Sequence, residues 1–115
     1  MPATKDAIRL QHMRDYASEA VEMSTNTRRE ELEANRMLNL ALVRLLEVIG
    51  EAAAKVTEET REANPDLPWS QLTGLRNRLI HGYDAVDFDI LWDVLKYDLP
   101  PLIQRLDEIL HPQNP

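Results

Sequence analysis

A chain of 115 residues has room for one hydrophobic core, so a single domain over residues 1–115 is expected. It contains no cysteine, which excludes disulfides and thiolate metal sites, and its formal net charge of −7 excludes duplex binding driven by bulk positive charge. Its apolar runs fall far short of the roughly 20 residues of a membrane span, and the start Met-Pro-Ala-Thr-Lys-Asp has no apolar signal region, so a cytoplasmic protein is expected.

Only three glycines occur, and the abundance of Ala, Leu, Glu and Arg favours an all-α fold with no period-two stretch for a strand. A first helix is expected after Thr4 as N-cap, with Leu10, Met13, Ala17, Ala20 and Met23 on its apolar face. Thr27 and Glu30 form a capping-box pattern that opens a second helical stretch, bent near Asn35 and running to Val56. Its seam is Leu38, Leu42, Leu45, Ile49, Ala52 and Val56, and Gly50 together with nearby alanines lets a neighbour come close.

A short helix from Glu58 to Ala63 ends before Asn64-Pro65, because proline disfavours helix in the preceding residue. After the stiff Pro65–Pro68 connector, a further helix is expected from Trp69 or Ser70 to a stop at Gly82, with His81 in its last turn. The last stretch starts at the N-cap candidate Asp87 and carries Leu91, Leu95, Leu99, Leu102, Leu106 and Ile109 on one side. Pro100 and Pro101 make it either one kinked helix or two. The polar tail from His111 to Pro115 is expected to fray.

Of the three histidines, only His81 stands beside several groups able to do chemistry: Arg76, Asn77, Arg78 and Tyr83. On a continuous helix Asn77 and His81 would share a face, so the amide could orient the imidazole. An imidazole exchanges protons near neutral pH, and a guanidinium presents a planar fork of donors to a phosphoryl group. An Arg–His pair at this spacing alone carries little weight.

The wider pattern carries more. Arg76, four residues, His81, one residue and Tyr83 is the signature of the HepT-like branch of the HEPN superfamily, which the chain resembles. The resemblance extends through Glu47-Val48-Ile49-Gly50-Glu51-Ala52, Pro68-Trp69, Gly74-Leu75-Arg76-Asn77, Val86-Asp87 and Leu91-Trp92, most of residues 40 to 100. It implies a four- to five-helix up-and-down bundle that homodimerises so that two motifs face each other across a cleft. It also implies a ribonuclease that needs no metal or other cofactor, with Arg76 and His81 catalytic and Asn77 supporting them. Such a protein would be the toxin of a type VII toxin–antitoxin pair, silenced when a minimal nucleotidyltransferase antitoxin attaches AMP to Tyr83.

Plainer roles compete at several positions. Tyr83 can pack its ring on the core, and Arg78 can sit on a helix surface or touch the RNA backbone. Glu51 is a solvated residue or an acceptor for Arg76 or Asn77, and Arg28 and Arg29 could extend a basic patch. Trp69 and Trp92 are expected to pack, and His12 and His111 have no partner at metal-ligand spacing. The alternative functions are a non-catalytic helical binding module, or a substrate-holding partner of a nucleotidyltransferase.

Overall fold

The computed structural model describes residues 4–112. Helix α1 (Thr4–Ser24) includes Thr4 rather than being capped by it, and buries Asp6, Leu10, Met13, Ala17, Ala20 and Ser24. Those residues recur every three or four positions, one face of a helix. Met23, expected on that face, is exposed, because Ser24 takes the inward position and bonds back to the Ala20 carbonyl at 2.9 Å.

The second stretch is two helices rather than one bent one: α2 (Arg29–Ala34) and α3 (Arg36–Lys55). Between them Asn35 is extended, at φ −98° and ψ 96°, and its side chain accepts from the Leu38 amide at 3.0 Å. The helix start at α2 falls one residue later than the Thr27–Glu30 pattern predicts: the Glu31 carboxylate accepts from the Arg28 amide. Since arginine cannot accept a hydrogen bond in return, only half of a capping box forms. The buried face of α3 is Asn39, Leu42, Leu46, Ile49, Gly50 and Ala53, so at three steps it runs one residue past the predicted Leu38, Leu45 and Ala52.

Helix α4 (Glu58–Ala63) is capped by Thr57 and ends at Asn64, before Pro65. The expected helix from Trp69 to Gly82 is instead α5 (Trp69–Thr73) and α6 (Leu75–Leu79), broken at Gly74. It is followed by a two-residue antiparallel ladder of β1 (Ile80–His81) with β2 (Ala85–Val86). Ile80 pairs with Val86 and His81 with Ala85, and the Asp87 amide donates to the Leu79 carbonyl at 2.8 Å. Bonds across the hairpin thus take the chain out of the helix before it reaches Gly82, which sits at the tip of the hairpin with φ +68°, a conformation natural to glycine.

Helix α7 (Phe88–Asp93) starts at Asp87 as predicted, continues through a π-helical turn (Val94–Asp98) and runs on as α8 (Leu99–Leu110). The choice between one kinked helix and two is resolved by that wider turn. Its closing bond runs from the Leu99 amide to the Val94 carbonyl, and Pro100 and Pro101, which have no amide to continue the ladder, follow it in the first turn of α8.

α1 runs antiparallel to α3, since Arg9 donates to the Lys55 carbonyl at 2.8 Å and Asp6 accepts from the Thr57 amide at 3.1 Å. It also runs antiparallel to the last helix, tied by Arg14–Asp107 at 2.8 Å and by Lys96 to the Ser24 carbonyl at 3.3 Å. Helices α5 and α6 lie against α3 as the fourth rod of the up-and-down bundle. One apolar cluster joins them, including Leu10, Met13, Leu42, Ile49, Leu75, Leu79, Leu91, Leu99 and Leu106. Gly50 makes the α3–α5 approach possible, as a Cβ there would lie 2.8 Å from the Leu72 carbonyl oxygen. No helix among the described residues is long and apolar enough to cross a membrane.

Candidate active site

The Arg76–Tyr83 motif occupies the end of α6 and the hairpin after it. Leu75 and Leu79 anchor α6 in the core, which turns Arg76 and Asn77 outward. The Arg76 guanidinium Nε lies 3.6 Å from Oε2 of Glu47, which reaches it from α3. Glu51, considered for this role on sequence grounds, pairs instead with Arg44 at 3.3 Å. The side chain of Arg76 stays 58% exposed, so the pair leaves most of its donors open to a ligand.

His81 is not in a helical turn. Since α6 ends at Leu79, the four-residue spacing from Asn77 confers no shared helical face, and the predicted orientation of His81 by Asn77 loses its basis. The residue that meets His81 is Asp87: Nε2 of the exposed imidazole lies 3.4 Å from Asp87 Oδ2. The other oxygen, Oδ1, accepts from the Ile90 amide at 3.1 Å and caps α7. Asp87 is held below the usual carboxylate range, first by that backbone bond and then by the imidazole, which together outweigh the cost of its partial burial. It is therefore ionised at neutral pH.

Tyr83 is 87% exposed at the hairpin tip, so its ring does not pack on the core. Arg78 lies 3.8 Å from Asp98 of the π turn and lines a crevice with Leu72, Leu75, Leu99 and Leu102, which favours the helix-surface role over contact with RNA. Arg28 pairs with Glu31 and Arg29 with Asp89 at 2.7 Å, so neither stands in a basic patch of unpaired charges. Trp69 packs on the core and donates to the Asn64 carbonyl at 3.0 Å, while Lys96 lies over the half-buried Trp92 ring. Both tryptophans are packing residues.

A shallow groove of about 350 Å³ runs between α1 and α3, lined by Lys5, Arg9, His12, Glu51 and Lys55 rather than by the motif. Among the described residues no group of three or more His, Asp or Glu side chains is arranged to hold a metal ion. Sequence reasoning missed Glu47 as the partner of Arg76 and Asp87 as the partner of His81. Both lay inside the segments that carried the family resemblance, the one signal that could have singled them out.

Residues 13–109 match the family model described as Ribonuclease HepT-like. A protein named "Putative RNase" from Methanocaldococcus jannaschii is 35% identical over 96 residues, which is 84% of this chain and 79% of that protein. Another of that name from Caldanaerobacter subterraneus subsp. tengcongensis is 32% identical over 105 residues, 91% of this chain and 94% of its own length. A protein named "Probable ribonuclease HepT" from Thermococcus cleftensis is 30% identical over 102 residues, 85% of this chain and 92% of its own. No solved structure matches the chain. With a family model spanning nearly the whole helical bundle and relatives similar along most of their length, the chain belongs to the HepT-like ribonuclease family of the HEPN superfamily.

Proposed function

We propose that this protein is a metal-independent RNA endonuclease acting as a homodimer, with Arg76 and His81 as catalytic residues. The observation that carries the reading is the pairing of an exposed imidazole with an ionised carboxylate, five residues after an exposed arginine that Glu47 holds from α3. In the reaction a ribose 2′-hydroxyl attacks the adjacent phosphorus. One His81 takes the hydroxyl proton, the bond from phosphorus to the 5′-oxygen breaks, and the second protomer's imidazolium protonates the departing oxygen. Arg76 offers paired donors to the phosphoryl oxygens as they gain charge. The motif stands on an open surface, so a second copy would supply the facing wall as well as the second imidazole.

The same reading makes the protein the toxin of a toxin–antitoxin pair whose partner is a minimal nucleotidyltransferase. Tyr83 presents its hydroxyl at the tip of a hairpin, where an enzyme can reach it. AMP there adds a negative phosphodiester two residues from His81, able to pair with Arg76 and displace the RNA phosphate.

The test is cleavage of end-labelled RNA in buffer containing EDTA. The parent protein is expected to cut, and His81→Ala to be slower by about 10²- to 10⁴-fold, the usual contribution of a positioned acid–base group. Equal rates for parent and variant would remove His81 from the mechanism.

A further inference from the structure

We infer that Asp87 is a positioning residue that sets which ring nitrogen of His81 does the chemistry. This role rests on the ribonuclease reading and on three facts of geometry. Asp87 Oδ2 faces Nε2 of His81 at 3.4 Å, Oδ1 is engaged by the Ile90 amide at 3.1 Å, and the Asp87 amide donates to the Leu79 carbonyl at 2.8 Å. The carboxylate is thus fixed at its backbone and at one oxygen, with the second oxygen directed at the imidazole.

An ionised carboxylate can only accept, so a neutral His81 facing it must carry its proton on Nε2. That leaves the lone pair on Nδ1, which becomes the nitrogen that takes the 2′-hydroxyl proton. When it does, the ring becomes an imidazolium whose Nε2–H still points at Asp87, and the negative charge there stabilises it. A contact of 3.4 Å is long for a hydrogen bond and has room to shorten as the ring gains charge.

Two substitutions separate this role from helix capping, because Asn and Ser cap helices about as well as Asp. In Asp87→Asn the amide oxygen is retained by the Ile90 N–H, so the NH₂ group takes the place of Oδ2 and donates to Nε2. The ring proton must then move to Nδ1, blocking the nitrogen that acts as base. In Asp87→Ser the cap survives and the partner of the imidazole is lost.

The experiment combines ¹⁵N correlation spectra of the histidine ring in alkaline buffer, assigned with His81→Ala, with RNA cleavage by the parent and both variants. The expected result is an Nε2–H tautomer in the parent and an Nδ1–H tautomer in Asp87→Asn. Both variants should lose about 10²- to 10⁴-fold in kcat, with KM and thermal midpoint close to the parent's. An Nδ1–H tautomer in the parent overturns the inference, as do variants that cut at the parent's rate, since capping alone would then account for Asp87. A parent that cuts no RNA would overturn the ribonuclease reading instead, while its tautomer would still decide what Asp87 does to the ring.

Discussion

At the scale of single residues, the motif separates into groups that are held and groups that are offered. Arg76 and His81 are each held by a carboxylate from another element, Glu47 of α3 and Asp87 ahead of α7. Tyr83 is offered, with nothing from the core against its ring. Under the proposed function, Tyr83→Phe is expected to cleave RNA at close to the parent's rate and to gain no adenylate mass when coexpressed with the nucleotidyltransferase. Adenylate found on the variant would move the modification to another residue. The identities of Arg76, His81 and Tyr83 were legible in the sequence because the motif fixes them relative to one another. Their carboxylate partners were not, since Glu47 is 29 positions from Arg76 and Asp87 already had a sufficient local role as a helix cap.

At the scale of elements, helix positions follow from apolar periodicity, but the details of faces and ends do not. The pairs Leu45-Leu46 and Ala52-Ala53 satisfy a four-and-three spacing equally well, and only packing against α1 and α5 selects the second member of each. The hairpin was invisible because two-residue strands show no alternation, and its bonds come from the far side of a turn. Gly50, by contrast, is a point of close approach both by its place among small residues and in the fold. Gly50→Ala gains up to about 1 kcal/mol in helix propensity, but the new methyl meets the Leu72 carbonyl at 2.8 Å and overpacking costs about 1–3 kcal/mol. A net loss of stability is expected, read as a lower thermal midpoint. An unchanged or higher midpoint would show that α5 can move aside without cost.

At the scale of the whole molecule, a buried carboxylate staples the start of α1 to the cap and first turn of α4, just past the end of α3. Burial raises the Asp6 carboxyl, but hydrogen bonds from the Thr57 and Thr60 hydroxyls and the Thr57 amide, with the charge of Arg9, outweigh it and hold Asp6 below its ordinary value. A folded-state value lower than the unfolded one stabilises the fold above the ordinary Asp value of about 3.9, and that stabilisation is lost as pH falls through the folded value. Asp66, lowered chiefly by its bond from Arg105, and Asp87 act in the same direction. Asp6→Asn is therefore expected to cost roughly 1–3 kcal/mol at neutral pH and to flatten, without abolishing, the fall in stability below about pH 4. Denaturant melts at pH 3 and pH 7 would check it, and an acid limb as steep as the parent's would acquit Asp6.

Asp87 joins these scales. Because the carboxylate that starts α7 is also the one that faces His81, the imidazole has its orienting partner only while the first turn of α7 is formed. Under the proposed function, local fraying at the start of α7 would therefore release His81 from its carboxylate and slow cleavage before the rest of the bundle opens.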